Sequence, residues 1–486
     1  MTRVRGLLLL IATASGASTV FAFAPFAVSG VAFATLTLLF WQWQRAATAR
    51  DAALIGFAFG AGLYGAGVSW LYIAIQTFGG MPPWLAAMSI AVLVAYLALW
   101  PALAGYVSAR FTRSGSWGRL IAAAGAFTLT EWLRGYLFTG FPWLALGYTQ
   151  VPGGLVAGYA PLGGVYLVTF VMALIGGCVA HAADALARDA RRAIAVPLAV
   201  AAALAVSGAA LSRSEWTSPA GAPLAVSLVQ GNVLQDVKFD PQFRTATFDR
   251  YLRLVEASRG RLVVLPESAF PMFSDEVPDA VLLSLIRMAS ARGGDVLLGL
   301  FTAEAPAPGS DEPRYYNTVI ALGDSELQFY RKNHLVPFGE TIPLKPLIGW
   351  FIHSVLAIPL ADQARGGDTQ PALVVAGQRV AVNICYEDAF GAELIHAQRL
   401  ERRQHLQRGC TVATTDTDPR SGDSVAMARR KMLRGCIERI AQREKRDGGA
   451  HAAPRHFETS SPAREGQPNS PTSCTGSTTS SARMSS

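Results

Sequence analysis

Charge is scarce in this 486-residue chain: 16% of its residues are Asp, Glu, Lys or Arg, against 51% hydrophobic. Together with a mean hydropathy of +0.29, that scarcity excludes a disordered or fully solvated chain and points to a membrane protein. Paired cysteine spacing is also missing. Cysteines 178, 385, 410, 436 and 474 form no CxxC pair and no Cys/His cluster, which argues against a zinc site or a disulfide framework. Nor is there an electrostatic footprint for DNA or RNA. The formal net charge is +8, but residues 391–486 carry 16 Lys+Arg against 10 Asp+Glu, so +6 of the total belongs to an unusual tail. No cofactor motif occurs, and no nucleic-acid partner is expected.

What the first 212 residues do contain is length without charge. Apolar runs near 6–24, 27–44, 53–76, 84–107, 119–138, 163–182 and 193–211 approach the roughly 20 residues that a hydrocarbon core demands. The basic start MTRVRG resembles a signal peptide, but further spans follow directly, so an uncleaved first helix is the better reading. Loops 25–27, 77–83 and 139–162 hold no Lys or Arg. The opposite ends carry Arg3 and Arg5, Arg45 and Arg50, Arg110, Arg113 and Arg119, then Arg188, Arg191 and Arg192. Short cytoplasmic loops are enriched in these residues, which predicts a cytoplasmic N-terminus and an outer, periplasmic location from residue 212 onward. Within EWLRGYLFTGFPWLALGYTQ (131–150), Glu131 and Arg134 lie among aromatics near a membrane boundary. They suit either an interfacial belt with a self-satisfying i,i+3 pair or a lipid-facing or domain-docking loop.

From residue 223 the pattern changes to short β-type runs, 224–230, 261–267, 295–301, 317–323, 327–332 and 379–385, with helices near 240–259 and 276–292. Such alternation predicts an α/β domain with its chemistry at strand ends. Glu267, Lys332 and Cys385 each close one of these runs. A carboxylate can take a thiol proton, an ammonium can stabilise both thiolate and oxyanion, and the thiolate can attack an ester or amide carbonyl. Taken singly, Glu267 could flank a helix start, Lys332 could be a surface strand residue, and Cys385 could be core, where free cysteine is commonly found. Taken jointly, they favour Cys385 as a nucleophile.

LPESAFP, YRKNHLVPFGETIP and NICYEDAFG resemble, in that order, the Glu, Lys and Cys motifs of the nitrilase superfamily. With membrane spans in front, and with VSLVQGNVLQDVKFD (226–240), EWLRG…TGFPW and GVSW, the chain resembles the apolipoprotein N-acyltransferase family. The resemblance implies a multi-pass α-helical membrane bundle (1–212) joined to an α/β nitrilase-like αββα sandwich (223–395). It implies Glu267 as general base, Lys332 as oxyanion stabiliser and Cys385 as nucleophile, with Glu340, Tyr386 and Glu387 supporting them. It further implies an acyl chain passing from a membrane phospholipid through a Cys thioester to the α-amine of a lipid-modified apolipoprotein. No cofactor is implied, and a monomer in the bacterial inner membrane is expected. Trp350 and Phe351, in the apolar stretch 343–360, fit either a lipid-dipping lid or an amphipathic helix packed on the domain. Phe239 is a further candidate lipid contact. Other functions open to the residues are a membrane-tethered amidase or nitrilase acting on a soluble substrate and an inactive membrane binding protein.

After residue 395 the resemblance fades. Residues 396–486 are basic, then rich in Ser, Thr and Pro, and contain no run of even eight apolar residues for a last span. The end of this tail has the composition of a disordered segment. The abrupt change without a domain boundary fits a frame disruption or a gene-model error. Translating the other two frames of the coding DNA checks this: one should reveal a VNxSN-like strand and an apolar span, and their absence from both contradicts it.

Overall fold

The computed structural model describes residues 2–218, 222–305, 313–337, 339–341, 363–393 and 395. The 343–360 stretch with Trp350 and Phe351, and the 396–486 tail, lie outside the described residues. The first half is helical: α1 (Thr2–Ser18), α2 (Gly30–Arg45), α3 (Ala49–Gly67), α4 (Trp70–Ile73), α5 (Pro83–Phe111), α6 (Trp117–Arg134), α7 (Ala160–Ala187) and α8 (Ala195–Leu211). Leu36, Phe40, Trp43, Phe59, Leu63, Leu97 and Leu120 are buried inside it. Leu7, Leu10, Val92, Leu99, Leu129 and Val206 face outward. An apolar exterior of this kind is stable only against hydrocarbon, which makes the chain a multi-pass membrane protein.

Seven spans are expected, and helices occupy all seven segments. Among the described helices, four are long and apolar enough to cross a membrane, and α3 with Trp70–Phe78 makes a fifth, bent by 49°. Helix α2 has 16 residues, which at about 1.5 Å per residue falls short of a ~30 Å core. Helix α6 has 18 residues and carries Arg119, Glu131 and Arg134. The 138–147 loop packs close at the end of α3: a Cβ at Gly67 would lie 2.3 Å from the Leu144 side chain.

In the second half, β1 (Val226–Leu228), β2 (Leu262–Val264), β3 (Asp295–Glu304), β4 (Arg314–Gly323) and β5 (Gln328–Arg331) form one sheet in sequence order. The first three strands are parallel, and β4 and β5 add antiparallel. Side chains alternate across it, as the period of two requires. Val263, Val296, Leu298, Leu300 and Leu322 pack against α9 (Arg244–Ala257) and α10 (Asp279–Ser290). Leu262, Leu297 and Ala321 face the other way, onto the hairpin of β6 (Leu373–Val375) and β7 (Gln378–Val380). The result is a nitrilase-like mixed sheet with helices on one face and a second β-layer on the other.

Strands β1, β2, β5 and β7 are shorter than the apolar runs suggest, whereas β3 and β4 run longer. Strand β2 stops at Val264, and Pro266, which has no N–H to donate to a ladder, precedes Glu267. The 379–385 run is a strand only as far as Val380, because residues 381–384 pair with no described strand. Glu267 and Cys385 thus stand beyond strand ends, whereas Lys332 follows β5 directly.

Candidate active site

The site lies where β2 and β5 end, with Lys332 at its centre. The Lys332 ammonium, 1% exposed, is 2.8 Å from Glu340 Oε1 and 3.3 Å from Glu267 Oε1. Its backbone is pinned on both sides: its N–H donates to the Asn317 carbonyl (2.8 Å), and its carbonyl accepts from the Gly366 N–H (2.9 Å). Glu340 is held by its own loop, Oε2 accepting from the Val336 N–H at 2.9 Å. Asn317 Nδ2 donates to Glu267 Oε1 at 2.6 Å, leaving the carboxylate oriented but 31% exposed. Strand β3 runs close behind Glu267, and only glycine fits there: a Cβ at Gly299 would lie 2.5 Å from the Pro266 carbonyl oxygen.

Cys385 opens a 3-10 turn, Cys385–Ala389, with φ +52°. A non-glycine residue in this left-handed region is strained and persists only where its surroundings over-determine it. Glu387 supplies much of that support. Its Oε2 accepts from the Ile384 N–H (2.6 Å). Its Oε1 accepts from the Asn333 N–H (2.6 Å), the His334 N–H (3.1 Å) and the Tyr330 hydroxyl (3.0 Å). One buried carboxylate thereby ties the cysteine turn to the segment that follows Lys332. Tyr386 anchors the other side. Its hydroxyl donates to the Gly140 carbonyl of the membrane half at 2.7 Å, and its ring stacks on Trp143 with centroids 5.8 Å apart. His334 Nε2 reaches the Thr139 carbonyl at 2.7 Å.

The 138–147 loop is fixed in turn by the pair noted in the sequence. Glu131 and Arg134 approach to only 4.0 Å, and each bonds chiefly to the loop. Arg134 Nη1 donates to the Phe141 and Trp143 carbonyls. Glu131 accepts from the Leu146 N–H (2.9 Å) and the Thr169 hydroxyl (2.7 Å). Of the two readings of that pair, the domain-docking loop agrees with this geometry.

Burial alone would lower the Lys332 pKa, but the Glu267 and Glu340 carboxylates outweigh it and hold that pKa above the usual lysine value. Cys385 is exposed at its surface, yet the protein behind its thiol raises the pKa, and the charge and hydrogen bond of Glu267 raise it further. The Lys332 ammonium opposes them and does not prevail. Cys385 therefore rests as a thiol, with the Glu267 side chain beside it to take the proton as attack proceeds.

The structure brings Glu267, Lys332, Glu340, Cys385, Tyr386 and Glu387 into one region. Phe239 is 47% exposed beside Lys238, whose Nζ donates to the Glu267 carbonyl at 3.3 Å. Trp350 and Phe351 lie outside the described residues. Sequence reading passed over Asn317, Lys238, Tyr330 and His334. The available signal for Asn317 was an amide within the apolar run NTVIALG; for Lys238 it was its place in VSLVQGNVLQDVKFD.

A mixed sheet with a thiol, a carboxylate and a buried lysine gathered at its strand ends fits the carbon-nitrogen hydrolase class, here joined to a membrane bundle. Residues 225–412 match the model of the carbon-nitrogen hydrolase family. Residues 15–178 match that of the apolipoprotein N-acyltransferase N-terminal domain. The chain is 46% identical over 389 residues to the apolipoprotein N-acyltransferase of Nitrosomonas europaea, covering 80% of this chain and 76% of the relative. For that of Chromobacterium violaceum the identity is 42%, with 80% and 73% covered. For that of Methylococcus capsulatus it is 39%, with 86% and 79% covered. The chain belongs to the apolipoprotein N-acyltransferase family.

Because Glu267 raises the Cys385 pKa and Lys332 lowers it, alkylation should report the coupling with opposite signs. At fixed pH below the thiol's pKa, Glu267→Gln should speed iodoacetamide labelling of the Cys385 peptide and move its pH midpoint down. Lys332→Met should slow labelling and move the midpoint up. Mass spectrometry of that peptide checks both, and a Glu267→Gln midpoint that stays put or rises contradicts the assignment.

Proposed function

We propose that this chain is a phospholipid-dependent N-acyltransferase that completes lipoprotein maturation by a ping-pong route. In the first half-reaction Glu267 takes the Cys385 proton and the sulfur attacks the ester carbonyl of a membrane phospholipid. The carbonyl becomes an oxyanion that the Lys332 ammonium stabilises. The ester C–O bond breaks, and the departing lysophospholipid oxygen takes the proton back from Glu267, leaving a thioester on Cys385. In the second, the free α-amine of a diacylglyceryl-cysteine lipoprotein attacks the thioester. Glu267 removes the amine proton, an amide forms, and the sulfur leaves and is reprotonated. Glu340 positions Lys332, while Glu387 and Tyr386 position the Cys385 turn.

The observation that carries this reading is the docking of the Cys385 turn on the 138–147 loop of the bundle, through Tyr386 to Gly140 and His334 to Thr139. Two substrates anchored in a bilayer require a nucleophile held at its surface. The same contacts support the orientation. The docked loop lies in a stretch without Lys or Arg, whereas Arg45 and Arg188 pair with Asp184, and Arg119 donates to the Trp43, Ala46 and Thr112 carbonyls elsewhere in the bundle. This division fits a cytoplasmic arginine-rich end and a periplasmic catalytic domain in the inner membrane. The protein works as a monomer in this account.

Purified protein incubated with a phospholipid bearing a labelled acyl chain should carry a hydroxylamine-labile label on Cys385. Adding a diacylglyceryl-cysteine peptide with a free amine should discharge the label into an N-acyl product, and Cys385→Ser should do neither. Turnover of soluble amides, with no acyl group ever found on Cys385 from phospholipid, contradicts the proposal and favours an amidase.

A further inference from the structure

The chain uses arginine for nearly all its positive charge: of 42 Lys+Arg, five are lysines, at 238, 332, 345, 431 and 445. The two among the described residues, Lys238 and Lys332, both stand at Glu267. Lys332 is enclosed and already holds two carboxylates. Lys238 differs in each respect. It lies on the loop between β1 and α9 and is half-buried, and among the described residues no carboxylate lies within ion-pair distance of it. Its Nζ spends one bond on the Glu267 carbonyl (3.3 Å) and stands 5.9 Å from the exposed Phe239 ring.

We propose that Lys238 is the binding residue for the acyl donor's phosphate, held beside the ester that Cys385 attacks. This rests on the acyl-transfer reading and adds the group that recognises the donor. A phospholipid brings an anion that only a short glycerol backbone separates from the reacting ester, and that anion needs a counter-charge at the mouth of the site. An ammonium with donor capacity to spare is a point-charge partner for phosphate. Burial lowers the Lys238 pKa, while Glu267 and Cys385, close enough to act on it, raise it again. A second anion arriving there favours the charged form further. Phe239, exposed next to it, lies along the donor's apolar part. The lipoprotein acceptor presents an amine to the same sulfur and makes no call on Lys238.

The test compares the full-length protein with Lys238→Met and Lys238→Arg variants, following acylation of Cys385 by intact mass. The donors are phosphatidylethanolamine with palmitoyl chains and the phosphate-free p-nitrophenyl palmitate. Lys238→Met should lose about tenfold or more in kcat/KM with the phospholipid relative to its loss with the phosphate-free ester, chiefly through KM, as expected for a charge-assisted hydrogen bond. Lys238→Arg should recover part of that difference. Equal losses with both donors would make Lys238 a support for the Glu267 backbone and overturn the proposal, as would no loss with either. Failure of the unmodified protein to acylate Cys385 from either donor overturns the acyl-transfer reading and this inference with it.

Discussion

An ammonium buried with two carboxylates organises this site. Removing Lys332 from water costs several kcal/mol, and the attraction of Glu267 and Glu340 offsets that cost only while both stand in place. Breaking such a pair by removing one partner typically costs about 3–5 kcal/mol. The network therefore constrains the protein far beyond its three residues. Strand β5 must end where it does, the Glu340 loop must fold back through the Val336 N–H, and Asn317 must hold Glu267 toward the amine. The energy that keeps the lysine charged also keeps a carboxylate next to the thiol. In the proposed reaction the cation is then present before any oxyanion forms, so little reorganisation is left for the reaction itself.

Around this centre, the membrane half does more than tether the catalytic half. Glu131 and Arg134, buried in the bundle, hydrogen-bond the backbone of the 138–147 loop, and Glu131 also accepts from Thr169 on α7. That loop carries positive φ at Phe138, Thr139, Gly140 and Leu144, a strained path that surrounding bonds must impose. It receives Tyr386 and His334 from the other half. Cys385, itself at positive φ, is thus braced from below by the bundle and from the side by Glu387. The position of Cys385 depends on both halves of the chain.

Much of this was legible in the sequence, and for a physical reason. Apolar runs announce buried elements, and a charged or thiol residue directly after one has to be held by it, so Glu267, Lys332 and Cys385 stood out. The family resemblance then supplied Glu340, Tyr386 and Glu387, all of which the structure brings to the same region. Pairings across distance were not legible. The Asn317 to Glu267 bond spans fifty residues, and nothing local marks an amide in an apolar strand as a carboxylate's partner. Helices occupy all seven of the apolar segments, although α2 has only 16 residues and α6 carries three charges, which hydrogen bonds inside the bundle satisfy. The ends of β1, β2, β5 and β7 were read too long because an apolar run does not reveal whether a neighbouring strand is there to pair with it, whereas β3 and β4, paired with each other from Asp295 to Glu304, run past their apolar stretches.

The central claim is that Glu340 acts through Lys332 as one unit with it, and a double-mutant cycle on the rate of Cys385 acylation tests it most directly. Lys332→Met and Glu340→Gln should each slow acyl-enzyme formation steeply, and the double variant should be about as slow as Lys332→Met alone, because residues acting as a unit are non-additive. Losses that multiply, with the double variant slower by the product of the two single effects, would show that Glu340 acts independently and would contradict the account.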